Sequence, residues 1–259
     1  MKRWLYPALL LATLLGLWQL AASTGFLGEV LDLEDFLVPS PAEIASSLWE
    51  DRSVLAENGW VTLVEIVLGF ALSVAIGLLF AVAMHLSTTI RLAAKPLVIV
   101  SQTIPILVLA PIFVIWFGFG IVPKLAIIAL VCFFPVVVTT LDALRSVDPD
   151  QLKLMRTLDA TRWQAFRWAE APAALPAALS GAKIAVAVAV IGAVFAEYAG
   201  SSEGLGHLML QSIPQLETPR AYAAVVLLAA FAVLLFGALA VAERRLVPWA
   251  RRRPEGPAR

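Results

Sequence analysis

Phosphate chemistry by the commonest loop needs a lysine directly after a glycine, in a G-x-x-x-x-G-K-[ST] run whose backbone N–H groups cradle the phosphates. None of Lys2, Lys95, Lys124, Lys153 and Lys183 follows a glycine, so the sequence gives no reason to expect ATP binding of that kind. His85 and His207 stand alone, and Cys132 is the single cysteine. That leaves no metal-ligand spacing and no disulfide framework, and no Ser/His/Asp or Cys/His arrangement stands out. The remaining candidates are polar and small residues set inside apolar runs. Glu65 lies about two helical turns into one run, where a carboxylate faces a pore, pairs with a neighbouring helix or snorkels outward. Ser101-Gln102-Thr103 precedes Pro105, and Pro111 follows six residues later. Prolines free backbone carbonyls, so this stretch reads as a kink that lines a path or bonds neighbouring helices. Gly181, Ala185, Ala189 and Ala193 recur every fourth residue, with Gly192 beside them. Such a stripe lets helices approach closely, either within the chain or against a second copy.

The elements that hold these residues follow from composition. Of 259 residues, 61% are hydrophobic and only 15% charged, and the mean hydropathy is +0.88. A water-soluble domain is usually nearer half apolar and a quarter charged. The chain is therefore expected to be an all-α, polytopic membrane protein forming a single domain over 1–259, with its core at about 59–247. A spanning helix needs roughly 20 apolar residues. Six stretches qualify: Trp4 to Ala22, Gly59 to Met84, Pro96 to Phe117, Ile121 to Leu141, Gly181 to Ala199, and Ala221 to Ala242. Pro123 and Lys124 place the first turn of the fourth at the water interface. Cleavage of the first stretch as a signal peptide is the alternative to its retention.

The charges set an orientation. Lys and Arg balance Asp and Glu at 19 each, which excludes bulk affinity for nucleic acid. If the N-terminus is inside, only Arg52, Lys124 and Arg220 of the basic residues fall on the outer side. Basic residues concentrate on the cytoplasmic side, so both termini are expected there. The first outer loop, 23–58, is acidic (Glu29, Asp32, Glu34, Asp35, Glu43, Glu50, Asp51 and Glu57). Within it Ser40 or Pro41 starts a short amphipathic helix.

One long inner loop, about 142–181, joins the fourth and fifth spans. Asp148-Pro149-Asp150-Gln151 reads as an N-cap with proline at the first helical position and a closing Gln. Gln151, Leu154, Met155 and Leu158 then share one face. Thr161-Arg162-Trp163-Gln164 has capping-box spacing, so a second helix starts there and runs toward Pro172. The turn at Asp159-Ala160 needs a residue that tolerates positive φ. These helices either pack on the bundle or bind a partner. Trp163, Phe166 and Trp168, interleaved with Arg162 and Arg167, favour the partner.

That loop, "DALRSVDPDQLKLMRTLDATRWQAFRWAEAPAALPAALSGAKIA", resembles the cytoplasmic loop of permease subunits of binding-protein-dependent ABC importers. In the family signature the Glu-Ala-Ala positions hold Lys153-Leu154-Met155, the Gly position holds Asp159, and the closing positions hold Ala169, Glu170, Ala171 and Pro172. "SQTIPILVLAPIFVIWFGFGIVPK", "FFPVVVTTLDALRSVDPD" and "IGAVFAEYAGSSEGLGHLM" look like the branch serving nitrate, sulfonate, taurine and thiamine-precursor pyrimidine uptake. The resemblance spans roughly Gly59 to Trp249. It implies a type I importer permease in the bacterial inner membrane, working by alternating access as a homodimer with a separate ATP-binding subunit and an extracytoplasmic substrate-binding protein. Leu154, Met155, Leu158, Asp159, Ala160, Thr161, Arg162 and Trp163 are then expected to couple to the ATPase. Gln102, Thr103, Pro105, Ala185, Ala189 and Gly192 are expected along the path. No cofactor is expected in this chain, since ATP belongs to the partner, and lipid surrounds the spans. The expected solute is small and polar, nearest the pyrimidine precursors, with nitrate, sulfonate or taurine next. An ion-coupled secondary transporter would favour pathway-lining carboxylates in broken helices, and only Glu65 fits that. A membrane scaffold without transport predicts no ATPase partner.

Overall fold

Local chain chemistry starts the helices. In the computed structural model, which describes residues 2–26, 32, 34 and 37–251, all regular structure among the described residues is helical. Glu29 and Asp35 of the acidic loop, and Arg252, Arg253 and Arg259, lie outside the described residues. Helix α1 spans Lys2–Ser23. Helix α2, Pro41–Glu50, starts as expected: Ser40 Oγ accepts the Glu43 N–H, and the Glu43 carboxylate accepts the Ser40 N–H at 2.7 Å. Two orphan donors of the first turn are thereby satisfied. Helix α3, Arg52–Leu86, begins seven residues before the expected Gly59, because the segment between has neither Pro nor Gly to stop it.

The expected third span is divided rather than kinked. Helix α4 runs Thr88–Val100 and helix α5 Ile106–Phe117, with Ser101 to Pro105 between them. Pro105 is the N-cap of α5, while Pro111 sits inside it. At 1.5 Å per residue α5 is about 18 Å long, short of a roughly 30 Å hydrocarbon core, so it needs α4 to complete a crossing. Helix α6 is Ile121–Arg145 and α7 is Pro149–Thr157.

The expected fifth span is longer than its apolar stretch. Helix α8 runs Arg162–Gly200 without interruption, through Pro172 and Pro176, with a π turn over Phe166–Glu170. Proline at 172 would leave the Trp168 carbonyl without its α-helical donor. The π turn changes the register there, and Ala171 N–H donates to the Phe166 carbonyl instead. The inner loop's second helix and the fifth span are therefore one element. Helix α9, Leu205–Ser212, and α10, Thr218–Leu246, complete the set before a short 3-10 turn, Pro248–Arg251. Helices α1, α3, α6, α8 and α10 are long and apolar enough to cross a membrane, and α5 is a shorter apolar helix.

The chain divides into two compact units, Met1–Leu63 with Ser201–Ala230, and Val64–Gly200 with Phe231–Arg259. In the first, the opening turn of α9 is satisfied from α3: Asn58 Oδ1 accepts the Gly204 N–H at 2.7 Å and Thr62 Oγ1 the Leu205 N–H at 2.8 Å. Gly204 has φ 110, where a side chain would be strained. In the second, the core is a seam between α6 and α8. Ile127, Ile128, Cys132 and Val136 of α6 are buried, as are Gly181, Ala185, Ala189, Gly192 and Ala193 of α8. The small-residue stripe thus packs within the chain. A Cβ on Gly181 would lie 1.9 Å from Thr139 Oγ1, and the Cys132 thiol donates to the Ala185 carbonyl at 3.2 Å.

Candidate functional site

Around α7 of the second unit the chain exposes apolar side chains on a polar helix. Helix α7 has no buried residue, and Asp148 caps it through the Asp150 N–H at 2.9 Å rather than in a box with Gln151. Asp159 has φ 53, the left-handed conformation expected at the turn. Its N–H bonds the Arg156 carbonyl, and Ala160 N–H bonds that of Met155. Thr161 and Gln164 then form the expected reciprocal box that starts α8. Two caps and one left-handed residue present Leu154, Leu158 and Trp163, which are 60%, 69% and 56% exposed. Met155 and Ala160 are half-buried, and Asp159, Thr161 and Arg162 are exposed. The eight candidate coupling residues therefore gather around one turn.

Behind this face sits a charged cluster that the sequence reading did not single out. Arg162 Nη1 donates to both carboxylate oxygens of Glu170 at 2.7 Å. His85 Nε2, in the last turn of α3, lies 2.8 Å from Glu170 Oε2 and 2.8 Å from Arg162 Nη2. Glu170 is 2% exposed. Phe166 stacks on Trp163 at 5.2 Å between ring centres and joins Leu144 and Ala174 in a buried cluster. In a regular helix residues eight apart point about 80° from each other. The extra residue of the π turn brings Arg162 and Glu170 nearly onto one face, as residues seven apart would be. In the sequence Glu170 stands as one more charge of the loop, and regular helical spacing hides its partner.

The candidate path residues fall in two places. Gln102, Thr103 and Pro105 are exposed in the break between α4 and α5. Thr103 Oγ1 donates to the Val100 carbonyl and Ser101 Oγ to that of Val98. The Gln102 amide makes no side-chain hydrogen bond to the described residues, so it is available to water, a solute or another chain. Ala185 and Ala189 are fully buried and Gly192 is buried with them, all against α6. Glu65 pairs with a neighbouring helix, its Oε1 accepting from Lys124 Nζ at 2.6 Å. Lys124 is accordingly buried within the protein, its ammonium paired with the Glu65 carboxylate, since a buried charge is costly unless paired. Among the described residues no three His, Cys, Asp or Glu side chains gather as a metal ion would require.

The first unit carries its own ion cluster. Arg220 Nη2 donates to Asp51 Oδ1 at 2.7 Å and Ser47 Oγ to Asp51 Oδ2 at 2.7 Å, while Arg220 also binds Glu217. The Arg220 hydrogen bond holds the Asp51 carboxyl below the usual carboxylate range, against a smaller upward push from burial. A cavity of about 300 Å³ opens there, lined among others by Glu43, Ser46, Glu50 and Pro219.

Comparison with known proteins gives the chain's family and fold. Residues 73–248 match the family described as binding-protein-dependent transport system inner membrane component. The formylaminopyrimidine transport permease protein ThiX of Halalkalibacterium halodurans is 35% identical over 249 residues, covering 96% of this chain and 97% of that one. The riboflavin transport system permease protein RibX of Chloroflexus aurantiacus is 31% identical, covering 83% of this chain and 81% of that one. The taurine transport system permease protein TauC of Escherichia coli is 28% identical, covering 92% and 87%. Among solved structures, an inward-facing MetNI methionine ABC transporter chain aligns with TM-score 0.65 at 19% identity, covering 80% of this chain and 99% of that one, which shows a shared fold. The chain belongs to the family of binding-protein-dependent inner-membrane transport components.

Proposed function

We propose that this inner-membrane transport component is the permease of an ABC importer for a formylaminopyrimidine or related thiamine-precursor pyrimidine. It works as a homodimer with a separate ATP-binding subunit and an extracytoplasmic binding protein, both termini cytoplasmic. The observation that carries the coupling role is the exposed apolar face of Leu154, Leu158 and Trp163 around the left-handed Asp159 turn. Exposed side chains on the spans face lipid and need no partner. A polar nine-residue helix gains nothing from exposing leucines to water, so a protein surface is their natural cover. Support for the solute is the 35% identity to the formylaminopyrimidine permease.

ATP is bound and hydrolysed by the partner. This chain converts closure of the ATPase dimer into movement of α7 and α8, and the break between α4 and α5 gives the path a polar stretch at Gln102 and Thr103. The buried alanines of α8 hold that helix to α6 so that it moves as a unit. Taurine and aliphatic-sulfonate relatives at 28–29% identity, together with the sequence resemblance to that branch, make sulfonate compounds the second reading. Vesicles holding the permease, its ATPase and its binding protein test the choice. ATP-driven uptake of a labelled formylaminopyrimidine that unlabelled taurine does not compete supports the first reading; uptake of taurine alone overturns it.

A further inference from the structure

The Arg162–Glu170–His85 cluster ties the exposed loop to a spanning helix. Glu170 is nearly inaccessible, and a buried carboxylate is costly unless its oxygens are paired. Its partners come from opposite directions in the chain, Arg162 from the first residue after the docking turn and His85 from the last turn of α3. The Arg162 side chain is 53% exposed, so a docked protein reaches it directly, whereas that of His85 is 7% exposed.

The imidazole cannot satisfy both neighbours at once. With a lone pair on Nε2 it accepts from Arg162 Nη2, but the proton then sits on Nδ1, which is buried with no partner. With the proton on Nε2 it donates to Glu170, and Arg162 Nη2 loses that acceptor. The cluster thus has two hydrogen-bonding arrangements on the same atoms, and in the second Glu170 keeps a partner when Arg162 moves.

We propose that Arg162, Glu170 and His85 form a mechanical link that transmits displacement of the docking loop to the last turn of α3, with Glu170 as its positioning residue. The π turn serves this link by aligning Arg162 with Glu170. The inference rests on the reading that the loop docks on the ATP-binding subunit. With the link intact, α3 follows α7; with it broken, α7 moves alone.

Spin labels at Lys153→Cys on α7 and Leu79→Cys on α3, in a Cys132→Ala background, read this in the permease assembled with its ATPase, the labelled chain diluted in excess unlabelled Cys132→Ala permease so that only the pair within one chain is recorded. In the unmodified cluster the distance distribution keeps its centre and width when ATP and vanadate trap the closed ATPase dimer. In Glu170→Gln, which keeps side-chain shape, trapping shifts or broadens the distribution by several ångströms, and Glu170→Asp is intermediate. Arg162→Ala, which leaves the His85–Glu170 pair, shows the same loosening even if Glu170→Gln folds poorly. An unchanged distribution in both variants, with ATPase bound, overturns the link. A structural staple alone would lower thermal stability without any ATP-dependent loosening, and that result also overturns it. Failure of the unmodified permease to hold its ATPase would instead strike the docking reading, and is seen at the assembly step.

Discussion

Two apolar surfaces of the same unit have opposite fates. Along the α6–α8 seam the chain uses its smallest side chains, and Ala185, Ala189 and Ala193 are wholly inaccessible. Around the Asp159 turn it uses large ones, Leu154, Leu158 and Trp163, and leaves more than half of each exposed. Close helix approach needs small residues because lipid provides no hydrophobic drive and packing alone must hold the seam. The loop lies beyond the apolar stretches, where exposing leucine costs free energy unless something covers it. Exposure on a span is thus uninformative about function, while the same exposure on a polar loop is the observation on which the proposed docking rests.

Breaking the seam has the largest expected effect. Gly181→Val places atoms where Thr139 Oγ1 and the Pro135 carbonyl already sit. It should destabilise the detergent-solubilised protein by about 1–3 kcal/mol or more, read as a lowered midpoint of thermal unfolding. Ala189→Leu should do the same, and unchanged stability in both would mean the seam is looser than described. Replacing Leu158 and Trp163 together by Ala acts in the opposite way. Thermal stability should move by only about 1 kcal/mol or less, while co-purification with the ATPase falls roughly tenfold or more, as loss of two central contact residues implies. Unaltered co-purification would return the loop to a packing role.

Smaller effects sharpen the contrast. Asp159→Val puts a β-branched residue at φ 53, at a cost of about 1–2 kcal/mol. ATP hydrolysis should then uncouple from uptake, whereas Asp159→Gly should transport normally. The Asp51–Arg220 cluster gives the weakest signal. Arg220 lowers the Asp51 pKa, so the pair's stabilisation is complete above the ordinary carboxylate range and is lost as pH falls through the lowered value. Asp51→Asn should therefore flatten the acid side of the stability profile and leave neutral and alkaline stability trends parallel to the wild type. A profile as steep as the wild type's would remove Asp51 from the acid response.

What the sequence discloses is mainly local. The Ser40–Glu43 and Thr161–Gln164 caps and the left-handed Asp159 are legible because each depends on residues within three or four positions. The apolar runs and the alanine stripe likewise announce spans and a close seam. Features that need distant partners are not legible. Nothing near Lys124 says that it meets Glu65, and nothing near His85 points to Glu170. Pro172 reads as the end of the loop's second helix, yet α8 runs on through it with a π turn over Phe166–Glu170 just before it, which no local spacing announces. Ser101 to Pro105 announces a bend, but whether the chain bends or breaks there depends on what the freed carbonyls meet.

The central claim is that the turn between α7 and α8 docks on the ATP-binding subunit. A photo-reactive benzophenone side chain at Leu158, 69% exposed, tests it in intact membranes carrying the whole transporter. Irradiation should yield a covalent adduct between this chain and the ATP-binding subunit, diminished when Trp163→Ala is added. Adducts confined to lipid or to the extracytoplasmic binding protein would contradict the account.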